Sequence, residues 1–442
     1  MMTISTKKCL SLLIVLIAML TPMLATINKI LIFNFRYFDD LILVLFYIVI
    51  FLYPNLRRKT YLDSYFLLFF LFFLISYIFN SLHVEPEAFL SQLRNYILPI
   101  SCFYVTKYLF NDEFSFKKLY LPFYLFLALI CLLGLYEGLT KQHFIPAINQ
   151  WGDETFVGSA FRVYTFFGHP NDYGYYLLFF ISFVTLGLYL GVFKKNFSTI
   201  FFLIILYSNL VLTISMGPLL SFIVSFILLF QILNLKNKWL YLIFALFFVF
   251  MSYLTIGEVM TDRVFNRIEA SIFSYHSVGE SATRVDFYLQ SIPVLLENFF
   301  FGVGPGSFGG WVATQFDSYA HYKYNISTYG LRSIDVFYPH LFGELGFFGG
   351  ISFLTIYIII IRRSILQYKF HSIHDGKFGM LLSANVLFCV FLILISAFWT
   401  MLFETNGHMI LLWSFVGSSE GYYIFKCRNS LNRSTDFRKL YT

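Results

Sequence analysis

The sequence predicts an all-α, polytopic integral membrane protein with about twelve spanning helices. Of its 442 residues, 58% are hydrophobic and only 12% are charged, against roughly 25% charged in soluble domains. The apolar residues come in runs of about 20, the length that crosses a hydrocarbon core as a helix, rather than as the short alternating strands of a barrel. The segments between those runs alternate between basic and base-poor, as the loops of a multi-spanning protein do. The 59 Phe and 32 Tyr suit lipid-facing and interfacial positions and identify no ligand.

Taken in order, the apolar runs place spans near 9–27, 38–53, 64–82, 95–110, 119–137, 171–192, 198–214, 217–234, 239–256, 345–361, 378–398 and 407–425. Pro99 interrupts the fourth run, and Gly417-Ser418-Ser419-Glu420 dilutes the last. The first run lacks a small-x-small cleavage site and more spans follow it, so it reads as a retained helix rather than a signal peptide.

Charge sets the orientation. With both termini cytoplasmic, 21 of the 31 basic residues fall on the inner side, every inner loop is basic, and removing either interrupted span would break the pattern. The outer side then holds ten basic and 18 acidic residues. The net charge of +7 is thus an orientation signal, and nucleic acid is not implied as a partner. Cys9, Cys102, Cys131, Cys389 and Cys427 all fall in spans or inside, which implies neither an outer disulfide nor a metal site.

The chain divides into five spans over 1–137, an outer loop over 138–170, four spans over 171–256, a large outer loop over 257–344, three spans over 345–425 and a basic tail over 426–442. Outer loops this long are expected to carry function. In the larger one, 258–272 and 284–299 have apolar residues at helical spacing, as amphipathic helices lying on a membrane would.

The first loop ends in Arg162-Val-Tyr-Thr-Phe-Phe-Gly168-His169-Pro170-Asn171-Asp172. Pro170-Asn171 reads as a turn, with Asn171 or Asp172 capping the next helix. Arg162 reads either as a bidentate ligand of phosphate oxygens or as an interfacial arginine reaching for water. The second loop holds Arg284, then Gly302-Val-Gly-Pro-Gly306-Ser307, whose glycines suit an anion-binding nest but match neither a P-loop nor a dinucleotide fingerprint. His340 and Glu344 follow at i, i+4 on one helix face. They form either a structural pair or a proton acceptor with its orienting carboxylate.

These motifs occur in the order Arg162, Gly168-His-Pro-Asn171, Arg284, Gly302-Val-Gly-Pro-Gly306, then Pro339-His340-x-x-x-Glu344-x-Gly346-x-x-Gly349. In that order the chain resembles the O-antigen polymerase and ligase superfamily, the Wzy and WaaL proteins, over about 160–350. The resemblance implies a GT-C-like enzyme in the bacterial inner membrane, with its active site on the periplasmic face. Such an enzyme transfers a glycan from undecaprenyl diphosphate to an acceptor hydroxyl with no cofactor, metal or nucleotide sugar. It implies lipid-linked donor and acceptor glycans as partners, alongside a Wzz-like chain-length regulator and a flippase.

Carried over by position, the catalytic candidates are His340, Arg284, Arg162 and Glu344, and the substrate-binding candidates are Asn171, His169, Arg332, Arg263 and Arg267. The chain departs from the family's Ser-Arg at Ser215-Met216 and from its His-Asn at His340-Leu341. The arginine absent at Met216 is open to replacement by Arg332, Arg263 or Arg267. A leaving lipid diphosphate needs fixed cations, which arginine supplies without deprotonating. Polymerisation onto another lipid-linked repeat is the first expectation, and ligation to lipid A core the second. Flipping of the lipid-linked glycan is disfavoured by the scarcity of charge in the spans and the lack of internal repeats.

Overall fold

The computed structural model describes residues 4–24, 37–54, 56, 59–110, 113–144, 156–157, 160–234, 284–316, 318–326, 336–374 and 376–440. The expected span 239–256, the amphipathic segment 258–272 and the candidates Arg263, Arg267 and Arg332 lie outside the described residues. Within them the chain forms α1 (Ile4–Leu20), α2 (Phe38–Leu52), α3 (Asp63–Phe79), α4 (Pro86–Ile97), α5 (Ser101–Leu109), α6 (Glu113–Thr140) and α7 (Pro170–Tyr189). Then come α8 (Phe197–Leu212), α9 (Met216–Leu233), α10 (Arg284–Glu297), α11 (Tyr319–Lys323), α12 (Phe337–Ile373), α13 (Lys377–Ser396) and α14 (Asn406–Leu440). Apart from helices there is a two-residue antiparallel pair, Phe156–Val157 with Ala160–Phe161, in the first long loop.

Among the described residues, Pro122–Thr140, Met216–Leu233, Phe337–Ile373 and Lys377–Ser396 are long and apolar enough to cross a membrane. Cys9–Met23, Asp63–Phe79 and Phe197–Leu212 are apolar but shorter. Among the described residues the fold is helical apart from that short pair, as suits an integral membrane protein. Its middle is α13, apolar on all sides and therefore surrounded, with α7, α9, α12 and α14 packed about it.

Three features of the helices differ from the run of hydropathy. The expected span 95–110 is not one helix: a 3₁₀ turn at Leu98–Ile100 separates α4 from α5. Pro99 supplies no N–H to an α-ladder, and the nine residues of α5 reach only about 14 Å. The preceding α4 is one-sided, burying Ala88, Phe89, Gln92, Asn95 and Tyr96.

The second difference is a break in α12 at Gly346, whose φ of 65° and ψ of −169° are not helical. There the Phe347 N–H turns to the Phe299 carbonyl (2.7 Å) and the Phe348 N–H to that of Phe300 (3.4 Å). The third is the polar stretch in α14, which proves to be interior. A Cβ at Gly417 or Gly421 would overlap the carbonyls of Phe103 or Lys107, so this Gly-x-x-x-Gly pair brings α14 and α5 backbone to backbone. Ser419 donates to Gln367 Oε1 (2.7 Å), and Arg363 holds Glu420 with two bonds of 3.0 and 2.7 Å, tying α14 to α12. The basic tail expected from 426 continues this helix to Leu440.

Gly417→Leu should therefore lower the stability of the purified protein in detergent by about 1–3 kcal/mol, read as a drop in thermal midpoint. An unchanged midpoint would show that α5 and α14 do not approach this closely.

Candidate active site

His340 lies in the first turn of α12, and that turn is fixed by the Gly-rich segment before it. The Val303 and Gly304 N–H groups donate to the carbonyls of Gly343 (2.9 Å) and Glu344 (3.0 Å). Gly302 has φ of 68° and sits against the Glu344 backbone, so only a residue without Cβ fits there. The segment does form an anion nest, but the anion is internal. The Glu344 carboxylate accepts the N–H groups of Gly306 (2.7 Å), Phe308 (3.0 Å) and Gly309 (3.2 Å).

With its carboxylate so held, Glu344 Oε1 stands 3.3 Å from His340 Nδ1. The other ring nitrogen, Nε2, meets a residue that sequence spacing did not single out: Glu404 Oε1, at 2.7 Å. Gln92 Nε2 donates to that same Glu404 oxygen (2.6 Å) and lies 3.1 Å from His340 Nε2, with the Tyr96 hydroxyl at 3.5 Å. Glu404 Oε2 also accepts the Trp311 N–H (3.2 Å). The side chains of His340, Glu344 and Glu404 are 0%, 1% and 2% exposed, so the cluster is sealed from solvent. An imidazole between two carboxylates can hold a proton and pass it to either side.

The arginines occupy a second group of polar residues. Arg162 is buried; its Nε donates to the Thr213 carbonyl (3.2 Å) and its Nη2 to Ser215 Oγ (3.2 Å), with Asn171 Oδ1 at 3.5 Å. It thus stands beside the residue next to Met216, so this corner of the fold has a cation although Met216 is not one. Arg284, the first residue of α10, is half-buried and close enough for its charge to act on the Tyr175 hydroxyl. Asn171 and Tyr175 are one turn apart on α7, which brings both arginines to the same end of that helix. The cap of α7 is His169, not Asn171 or Asp172: His169 is extended and its Nδ1 accepts the Asn171 N–H (3.0 Å). The imidazole reaches that N–H and leaves the Asn171 amide for Arg162.

The two groups meet across the connection from α13 to α14. Ala397 accepts from the Phe337 N–H (3.2 Å), Phe398 from the Tyr288 hydroxyl (3.0 Å), and Trp399 Nε1 donates to Tyr175 (2.8 Å). Glu404 then reaches His340, Asn406 reaches Asp39 (3.0 Å), and His408 Nε2 lies 3.1 Å from the Asp172 carbonyl. Gln92, Tyr96 and Glu404 were the residues missed from sequence. Glu404 had one signal: it is the sole acidic residue between Asp375 and Glu420, in the polar step Glu404-Thr-Asn-Gly-His408 between two apolar runs.

The fold and this cluster define a helical protein with four membrane-length segments among the described residues and a buried imidazole–carboxylate cluster at the end of one of them. Residues 200–354, less than half of the chain, are similar to the family model described as O-Antigen ligase. That stretch contains Arg284, His340 and Glu344; Arg162, Gln92 and Glu404 lie outside it. No curated protein matches the chain.

Burial alone pushes the Glu404 carboxyl up, but the charge and hydrogen bond of His340, with Gln92 and the Trp311 N–H, outweigh it and hold it below its usual 4.5. A depressed folded-state value adds stability above the usual value, and that stability is lost as pH falls through the folded one. Unfolding in detergent should accordingly become easier as the pH drops below about 4.5. Glu404→Gln should flatten that acid-side fall and, by breaking a buried ion pair, cost about 3–5 kcal/mol at neutral pH. An identical acid limb in the variant would show that Glu404 is not held as an ionised partner of His340.

Proposed function

We propose that this protein is a surface-polysaccharide polymerase of the bacterial cytoplasmic membrane, crossing it about twelve times and working on the periplasmic face. It takes a glycan chain from undecaprenyl diphosphate and transfers it to the non-reducing-end hydroxyl of a second lipid-linked repeat unit. The observation that carries this reading is the sealed His340–Glu344–Glu404 cluster, which begins inside the family-matched segment and is joined by one connection to the group holding Arg162 and Arg284.

In this mechanism the bond from the sugar anomeric carbon to the diphosphate oxygen breaks while the acceptor oxygen bonds to the same carbon. Arg162 and Arg284 stabilise the charge growing on the leaving diphosphate, and both remain cationic throughout. Substrate binding opens the cluster to the acceptor hydroxyl, whose proton then passes to the His340 unit and is shared by its two carboxylates and one imidazole. His169 and Asn171 order the turn beside Arg162, and Arg332, Arg263 and Arg267 remain candidates for further contacts with substrate. A chain-length regulator and a flippase are its proposed protein partners.

Ligation to lipid A core is the second reading, favoured by the description of the matching family as O-Antigen ligase. Deleting the gene and displaying the surface polysaccharide by length separates the two. Single-repeat product is expected for the polymerase. Unattached, lipid-linked long chains would mean a ligase, and repeat units retained in the cytoplasm would mean a flippase. In a reconstituted donor assay, Arg284→Ala should lose at least about a hundredfold in turnover and His340→Ala should be inactive, both with folded protein recovered. Near-normal turnover in either variant would remove that residue from the mechanism.

A further inference from the structure

Glu137 lies in the last turn of the membrane-length segment Pro122–Thr140 and is 0% exposed. A carboxylate at such a site is retained only where donors meet it, and in a spanning segment it points first to function. Its donors among the described residues come from the loop that follows. Oε1 accepts the Phe144 N–H (3.0 Å), Oε2 accepts the Thr165 N–H (3.0 Å), and His143 Nδ1 lies 3.4 Å from Oε2.

Thr165 is three residues beyond Arg162 and adopts φ of 51°, a conformation disfavoured for a β-branched residue unless its surroundings enforce it. The His143 ring extends the same anchorage, packing on Phe161 (4.4 Å) and Tyr164 (4.0 Å) to either side of Arg162. From the opposite side the end of α8 holds the segment: the Val163 N–H donates to Leu212 (3.0 Å) and Arg162 Nε to Thr213 (3.2 Å). Residues 162–165 are therefore clamped between one buried carboxylate and the last carbonyls of a helix.

We propose that Glu137 is the positioning residue for Arg162. By fixing the backbone three residues away, it sets the direction from which the guanidinium meets the diphosphate of the lipid-linked donor. The role rests on the assignment of Arg162 to that diphosphate. An anchor of this kind acts on donor engagement and leaves the acceptor side of the reaction unchanged, because the hydroxyl-activating cluster hangs on other elements.

The test is steady-state kinetics of the full-length protein in lipid, with a synthetic polyprenyl-diphosphate glycan donor varied at fixed acceptor and then the reverse. Glu137→Gln keeps the size and removes the charge. It should raise the donor KM by about 10- to 100-fold, the loss of a charge-assisted hydrogen bond, with the acceptor KM unchanged. Combined with Arg162→Lys it should be no worse than the poorer single variant, whereas with Arg284→Lys the losses should multiply. Glu137→Asp should recover part of the donor KM, and it carries the same test if the Gln variant does not fold.

Wild-type donor kinetics in Glu137→Gln, or losses that multiply with Arg162→Lys, would overturn the positioning role while leaving the proposed reaction intact. A wild-type protein that neither turns over nor binds the lipid diphosphate would overturn the reaction and this role together.

Discussion

The carboxylate of Glu344 is the constraint on which the candidate site depends. Three backbone donors of the Gly-rich segment, those of Gly306, Phe308 and Gly309, converge on it, and two further backbone bonds fasten that segment to the carbonyls of Gly343 and Glu344. The loop is therefore shaped around a helix turn, and the helix turn is fixed by the loop. His340, one turn earlier on the same face, inherits that rigidity, and its second nitrogen hands it on to Glu404 and Gln92. The glycines serve close approach: side chains at Gly302, Gly309 or Gly343 would meet the Glu344 backbone, the His340 ring or the Phe308 ring.

Burial makes this arrangement all-or-none. An unpaired ion in a low-dielectric interior is strongly disfavoured, whereas two carboxylates around one imidazole, with amide donors on their remaining lone pairs, are tolerated. Removing one member leaves the others buried and uncompensated, at about 3–5 kcal/mol for a broken pair. The Arg363–Glu420 pair obeys the same rule elsewhere in the bundle, with Gln367 as a further donor and the rings of Tyr61 and Tyr423 lying against the guanidinium.

Helical class and membrane character were legible in the sequence, because length and apolarity of a run are local properties. So was the His340–Glu344 pair, since i, i+4 spacing on a helix fixes proximity without knowledge of the fold. Gln92 and Glu404 were not legible: they lie 248 and 64 positions from His340, and only tertiary packing unites them. The nest was recognised as a shape, but its occupant was not, because backbone donors carry no label for which anion they bind. Pro99 and the 417–420 stretch ran against hydropathy in opposite directions, and charge parity retained the second as a span. The proline divided an apolar run that hydropathy joined, while Gly417, Ser419 and Glu420 lowered the hydropathy of a helix that buries them.

The break at Gly346 decouples the two ends of α12. In an unbroken helix, adding or deleting one residue within the membrane rotates everything beyond it by about 100°, and His340 would swing away from Glu404. Here the amides of Phe347 and Phe348 are bonded to residues 299 and 300 rather than to the turn above. The orientation of His340 is set by the loop, not by the angular phase of the long helix below it. The membrane-length part of α12 is free to change in sequence and length as its lipid and helix neighbours demand, while the cluster above keeps its own register.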